Sequence, residues 1–248
     1  MSDLATFGAG INVAVFGASG GIGSALAERL SRDPNVKKVI SLSRSKPLST
    51  NRELHWLPFD LTSEDSIHQS TEQLAKITDQ LHLVLVATGL LHEAEELMPE
   101  RAIKSLDGIT MDHLFRINAT GPALIAKYIS PFLSKTQKSV LGFLSARVGS
   151  ISDNFLGGWY SYRASKAALH MIVKTLAVEL NRTNPNTICV AMHPGTVHTH
   201  LSHPFVAGKK SVSVKPSDAA LNLLTVIDNL KPHQTGLIWD WEGKEIKP

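Results

Sequence analysis

The chain has 248 residues, 43% of them hydrophobic and 19% charged, with a net charge of +3 when His is neutral; that is the length of one α/β domain with apolar side chain enough for a core, which argues against disorder. Lys and Arg are scattered rather than massed, so no nucleic-acid surface is expected. The lone cysteine, Cys189, excludes an internal disulfide and a cysteine-rich zinc site; no apolar run reaches membrane-spanning length, and Met1-Ser2-Asp3 opens no basic-then-apolar leader, so a soluble cytoplasmic protein is expected.

In chain order, residues 12–17 read as a first strand and 19–31 as a helix with Ala25, Leu26 and Leu30 on one side. A second strand follows at 36–43, a short third at 53–59, and a helix at 63–77 opened by a serine cap. Strand four is expected at 81–87, a long helix at 110–133 and strand five at 139–145. A second long helix covers 160–181, strand six 187–193 with Cys189 buried in it, a helix 216–229, and a last strand 236–239. Short apolar strands alternating with helices imply one domain over 1–248. Its fold class is α/β: a Rossmann-like, doubly wound, mostly parallel seven-stranded sheet with helices on both faces. Ligands of such sheets sit beyond the carboxyl ends of the strands, where Gly17, Gly89, Ser145 and Pro194 all fall.

The segment from Val13 to Gly23 runs from strand through a glycine turn into helix, spaced Gly-x-x-x-Gly-x-Gly with Gly20 extra. Glycines let backbone approach a pyrophosphate, and the helix start supplies amide donors, so Gly17, Ser19, Gly21, Ile22 and Gly23 are expected to hold a dinucleotide. A plain tight turn is the alternative. Where an acidic residue would bind the ribose diol of NAD, strand two ends in Ser43-Arg44-Ser45-Lys46. Arg44 suits a 2′-phosphate, so NADP (NADPH) is favoured over NAD, against the alternative of a solvated loop charge. Asp60-Leu61 after strand three is placed to meet the adenine, although an Asp there also serves as a turn residue.

Tyr162 and Lys166 are four apart, one turn from each other on a helix face. An ammonium beside a phenol stabilises the phenolate and makes the group a usable proton donor or acceptor. With the glycine turn, Asn118 and Ser145 preceding them in order, the pair reads as a proton-transfer site for a carbonyl or an alcohol. Tyr160 is a decoy, since Ala164 lies four positions on. Taken singly, Ser145 would cap a turn and Asn118 would be an exposed helix residue.

With these residues placed, nearly the whole chain resembles the short-chain dehydrogenase/reductase family. The matching pieces are Gly17–Gly23, Asp60-Leu61, Asn118, Ser145, Tyr162 with Lys166, and Pro194-Gly195 followed by Thr199. Gly89-Leu90-Leu91-His92 and the tail Trp239-Asp240-Trp241-Glu242-Gly243 are similar to the C-factor-like subgroup. The resemblance implies that Tyr162 is general acid or base and that Lys166 lowers its pKa and holds the nicotinamide ribose. It further implies that Ser145 polarises the substrate carbonyl and that Asn118 anchors a water leading from Lys166 to solvent. Thr199 and the Val197 backbone would meet the carboxamide, with Pro194-Gly195 as the floor, and the two long helices would pair copies into a homodimer or homotetramer. The family's Asn-Asn-Ala-Gly is here Val86-Ala87-Thr88-Gly89, so both Asn are absent and a brace is weakened. These readings give NADP(H)-dependent interconversion of an aldehyde or ketone and an alcohol; the alternative is a nucleotide-binding signalling or scaffold protein with weak or no turnover.

His193, His198, His200 and His203 form the one competing cluster. With no Cys or carboxylate among them and Pro194, Gly195 and Pro204 breaking the chain, substrate-loop or solvent roles are preferred to zinc binding, and no metal is assigned. Glu93, Glu95 and Glu96 read as a solvated loop face. The loops 90–108 and 200–215 would choose the substrate, the second closing over it at Gly208, Lys209 and Lys210.

Overall fold

The structure, a computed structural model, describes residues 2–46, 54–93, 97–202, 204 and 213–248. Seven strands, β1 (Ile11–Phe16), β2 (Val36–Ser43), β3 (Leu54–Pro58), β4 (Leu83–Val86), β5 (Ser139–Leu144), β6 (Thr187–His193) and β7 (Ile238–Asp240), form one sheet in the order β3-β2-β1-β4-β5-β6-β7. Every neighbouring pair is parallel, so the expected "mostly parallel" sheet is parallel throughout. The central strands are buried on both faces, which is why they read as unbroken apolar runs without alternation.

Helices α1 (Gly21–Leu30) and α6 (Pro216–Asn229) cover one face through Leu26, Leu30, Leu223, Leu224 and Ile227, packed on Val13 and Val15. Helices α2 (Glu64–Ala75), α4 (Gly121–Ile129) and α5 (Tyr160–Thr183) cover the other through Ile67, Leu74, Ile125, Leu169 and Val173, packed on Phe16, Leu42 and Phe143. Each such buried side chain contributes about 1.5–3 kcal/mol, so the two layers dominate stability. Chain order runs outward in opposite directions from β1 and β4, which opens a crevice at their carboxyl ends.

Most sequence boundaries hold to within two residues, and β2, β6 and α6 coincide with the expected spans. Ser63 caps α2, its side chain accepting from the Ser66 amide. The long helix expected at 110–133 is broken instead. It comprises α3 (Gly108–Phe115), a π-helical turn over Arg116–Thr120, α4, and a 3-10 turn at Ser130–Phe132. Pro122 has no N–H to offer the carbonyl four residues back, that of Asn118. The chain widens there, and the Gly121 amide reaches Arg116 O. Such single π turns gather at functional sites, and this one carries Asn118.

Candidate active site

The crevice at the end of β1 is built by glycine. Gly17 has φ +81°, and a Cβ there would stand 3.0 Å from the Ala87 carbonyl, so the ends of β1 and β4 approach this closely only without a side chain. A Cβ on Gly23 would lie 2.2 Å from Gly17 O, and one on Gly21 2.8 Å from Thr199 Cγ2. Helix α1 starts after Gly20 with no side-chain cap, which leaves its first-turn amides open to an anion. Ser19 and Gly21 are exposed there and Ile22 half-buried. Thr88 Oγ1, beside Gly17, is buried without a hydrogen-bond partner. An open helix start, a Cβ-free cradle and an unsatisfied hydroxyl together fit the phosphates and backbone-facing parts of a dinucleotide.

Ser43 is buried at the end of β2, donating to Ser45 O at 2.7 Å and accepting from Trp56 Nε1 at 3.2 Å, while Arg44 and Lys46 are exposed. Asp60 Oδ1 accepts from the Thr62 amide (2.9 Å) and hydroxyl (2.8 Å), a turn-forming role. These bonds, with the Arg44 charge adding, hold its carboxyl below the usual range. Leu61 is buried and packs on Gly121, where a Cβ would lie 2.6 Å from Leu61 Cγ.

The candidate chemical residues converge at the ends of β4 and β5. Tyr162 and Lys166 are 6% and 3% exposed, with Lys166 Nζ 5.9 Å from the centre of the Tyr162 ring and donating to Leu144 O at 3.1 Å. Asn118 grips Leu90, accepting from its N–H and donating to its C=O, both at 2.8 Å; Nδ2 also reaches Ser165 Oγ at 3.1 Å. Asn118 thus braces the chain just beyond Gly89. A Cβ on Gly89 would lie 3.4 Å from Lys166 Nζ and 3.5 Å from Asn118 Oδ1, so Gly89, Lys166 and Asn118 face one space. The Ser145 backbone N–H donates a hydrogen bond to Met192 O (2.7 Å), and the Ser145 Oγ lies 2.7 Å from His170 Nε2.

Two residues beyond the sequence reading shape this site. His170 lies four residues after Lys166, on the face that carries Tyr162; that spacing was its only signal. Glu100, buried, accepts from the Ser161 amide and hydroxyl and so caps the start of α5 beside Tyr162. No local pattern pairs residues 61 positions apart. Arg163 further ties α5 to Gly158 O and Val148 O.

Burial governs the titration of the cluster. It pushes the Tyr162 phenol up and lowers Lys166 to about 8. Desolvation penalises the phenolate, and that burial is what raises Tyr162. His170 is lowered to about 4 by burial, then by Lys166, with the Gly149 backbone opposing. His193 falls to about 4 through burial and Arg147, against Asp240. Burial likewise raises the Cys189 thiol, and Tyr160, the decoy, is exposed.

Gly195 takes φ +77° with the Trp241 indole against it, where a Cβ would lie 2.9 Å from Trp241 Cδ1; Pro194 is half-buried beside it. Val197 is buried and bridges Val214 in parallel, and its C=O accepts from Ser202 Oγ, which also receives the Thr199 amide. The described histidines of that stretch make separate contacts: His193 Nδ1 is buried without a partner, His198 Nε2 pairs with Ser213 Oγ at 2.6 Å, and His200 stacks on His92 at 5.4 Å. Among the described residues, no three His, Cys, Asp or Glu are grouped to hold a metal, and no helix is long and apolar enough to cross a membrane. Glu93 approaches His113 at 3.4 Å. Glu95, Glu96, His203, Gly208, Lys209 and Lys210 lie outside the described residues.

The family model of the short chain dehydrogenases matches residues 12–210. The C-signal protein of Myxococcus xanthus is 32% identical over 145 residues, 58% of this chain and 82% of that one. The 1-hydroxy-2-glutathionyl-2-methyl-3-butene dehydrogenase of a Rhodococcus species is 32% identical over 184 residues, 74% of this chain and 76% of that one. Among solved structures, the NADPH-bound carbonyl reductase from chicken fatty liver superposes with a TM-score of 0.81 at 24% identity, covering 97% of this chain and all of that one. The carbonyl reductase Sniffer of Drosophila melanogaster gives 0.81 at 21% identity, with coverage of 97% and 100%. At these identities the two structures speak for the fold alone. The family match, carried by a sheet and a crevice of the kind its members share, makes this chain an oxidoreductase enzyme of the short-chain dehydrogenase/reductase family.

Proposed function

We propose that the chain is an NADP(H)-dependent carbonyl reductase, acting on an aldehyde or ketone with Tyr162 as the proton donor. One observation carries the reading. Lys166 and Asn118 face the space at Gly89, with the Lys166 amine 5.9 Å from the centre of the Tyr162 ring, in a fold whose first helix starts after a glycine turn with no side-chain cap. Arg44, exposed after the buried Ser43 where a carboxylate would select NAD, supports NADP as cofactor. Gly17, Ser19, Gly21, Ile22 and Gly23 would hold the pyrophosphate, and Asp60-Leu61 the adenine. Gly89, Tyr162, Lys166 and Pro194 to Thr199 would line the nicotinamide side. The whole chain, 1–248, acts as one domain on a small-molecule substrate in the cytoplasm. Exposed Ile109, Met171 and Val178 on α3 and α5 support pairing of copies through these helices.

When bound, the dinucleotide supplies the hydride that reaches the carbonyl carbon. Negative charge then grows on the carbonyl oxygen, and the chain's part is to meet it with placed donors. The Tyr162 hydroxyl gives its proton to that oxygen, and the Ser145 hydroxyl hydrogen-bonds it. A phenol raised by burial keeps its proton until charge builds on the carbonyl oxygen, and an alkoxide is far the stronger base, so proton transfer from Tyr162 to that oxygen is downhill. Lys166, still protonated at pH 7, stabilises the phenolate left behind. Asn118 holds the Leu90 backbone, and with it the Gly89 end of β4, in place.

The test is oxidation of NADPH and of NADH across a panel of aldehydes and ketones. Turnover with NADPH well above NADH is the expected result. A second reading, nucleotide binding with no turnover, is favoured by the likeness to C-signal; tight NADPH binding without oxidation across the panel would select it.

A further inference from the structure

Helix α5 starts against local preference. Its N-cap residue, Trp159, has φ +53° and ψ +43°, and among the described residues it is the one non-glycine with a left-handed backbone. Gly157 and Gly158, just before it, also have positive φ. A bulky L-residue is strained there, and glycine would take the same backbone freely. Nor does the indole cap the helix, since Trp159 makes no side-chain cap bond. Buried Glu100 meets the Ser161 amide in its place. The strained backbone is held on both sides: the Trp159 N–H donates to Glu100 O at 2.5 Å, and Trp159 O accepts from the Arg163 N–H at 2.8 Å. Strain that the surroundings keep in place, at a position suited to another residue, gathers at functional sites.

What the strain places is an aromatic ring beside the phenol. The indole lies edge-on to the Tyr162 ring, with 6.2 Å between centres and 73° between planes, and Trp159 is only half-buried. Along α5, Lys166 follows Tyr162 by four residues and Trp159 precedes it by three, so the phenol stands between an amine and an indole. The amine faces the space at Gly89 and Asn118, given above to the cofactor. The indole lies toward the start of α5, beyond the carboxyl end of β5, and its loop also carries Phe155 and Leu156, 87% and 92% exposed. We propose that Trp159 is a specificity-determining residue: its indole walls the substrate side of Tyr162 and selects carbonyl compounds with a flat aryl group next to the reacting carbon. An aryl ring packs on the indole while its carbonyl oxygen meets the Tyr162 hydroxyl, and aromatic pairs gain beyond the area they bury. A short alkyl aldehyde reaches the same hydroxyl without that contact. The contact is made in ground state and transition state alike, so it acts on KM rather than on kcat. This role rests on the carbonyl reductase reading above.

The test compares wild type with W159G, W159L and W159F on benzaldehyde and on acetaldehyde, with NADPH as reductant. Measured quantities are kcat and KM for each aldehyde. In W159G the ratio of kcat/KM for benzaldehyde to that for acetaldehyde is expected to fall about tenfold, through a higher KM for benzaldehyde, the size of one lost aromatic contact. Taking the ratio cancels the intrinsic reactivity of the two aldehydes. W159L, apolar but not flat, loses most of the ratio as well, and W159F, which keeps a ring on the same backbone, stays within about threefold of wild type. Equal losses on both aldehydes, as a merely structural role would give, overturn the proposal, and so does a fall carried by kcat alone. If W159G does not fold, W159L against W159F decides, and equal ratios in those two overturn the role. A wild type that reduces acetaldehyde and not benzaldehyde overturns the role and leaves the reductase reading standing. A wild type that oxidises no NADPH with any carbonyl overturns the reductase reading itself.

Discussion

Lys166 is an ammonium held in a nearly water-free site, and its removal separates what the residue does for chemistry from what it does to stability. A fall from 10.5 to about 8 on folding means the protonated amine opposes the folded state by about 3 kcal/mol. The sign follows from proton counting. Between pH 8 and 10.5 the unfolded chain binds the extra proton, so stability rises with pH across that window, and below pH 8 the full penalty applies. Lys166→Met keeps the length and removes the charge, forfeiting the 3.1 Å bond to Leu144 O, worth about 1 kcal/mol. The net gain is about 2 kcal/mol at pH 7, or about 4–8 °C in melting temperature for a chain of this size. The assay is thermal unfolding without cofactor at pH 7, 9 and 10.5, beside NADPH oxidation. The variant should be more stable at pH 7, lose that advantage by pH 10.5, and turn over poorly throughout. A variant less stable than wild type at pH 7, or an advantage that persists at pH 10.5, would refute the reasoning.

Acid should act through the buried imidazoles. His170 and His193 fall from 6.5 to about 4 on folding, so the stability they confer is full above pH 6.5 and drains as pH drops toward 4, about 3 kcal/mol apiece. Urea midpoints at pH 7.5, 6 and 5 should decline in that window, and a flat series would contradict the burial of both rings. Gly149→Ala places a methyl 2.8 Å from Lys166 Cβ and 2.8 Å from His170 Cε1, an overpacking cost of about 1–3 kcal/mol with loss of turnover. Gly108→Ala, with nothing within 4 Å, should stay within about 0.5 kcal/mol, and equal effects at the two glycines would sink the comparison. Arg44→Ala should raise NADPH Kd about tenfold or more and leave NADH Kd alone, as expected for one lost charge-assisted contact. Equal weakening of both cofactors would assign Arg44 another role.

What could be read beforehand was whatever the chain encodes locally. The buried strands announced themselves as apolar runs, and Ser63, Gly17 and Gly23 carry roles fixed by backbone geometry within a few residues. Tyr162 and Lys166 were legible because helical spacing puts them on one face. The break in the long helix was not read, although Pro122 was in view, because a π turn depends on how the chain settles against Leu61 and Leu90. The Glu100 cap and the Ser145–His170 pair join segments 61 and 25 residues apart, and such contacts exist only once the sheet has set the ends of β4 and β5 beside α5. The burial that raises the Tyr162 phenol was hidden for the same reason: desolvation is a property of the packed site.

The central claim is that the Tyr162 hydroxyl delivers the proton, and Tyr162→Phe tests it most directly by removing one oxygen from a packed ring. Single-turnover oxidation of NADPH with an aldehyde should fall by about 100-fold or more, the size expected for loss of a general acid. NADPH Kd and melting temperature should stay near those of the wild type. Turnover at the wild-type rate, with the variant folded and binding NADPH, would contradict the account.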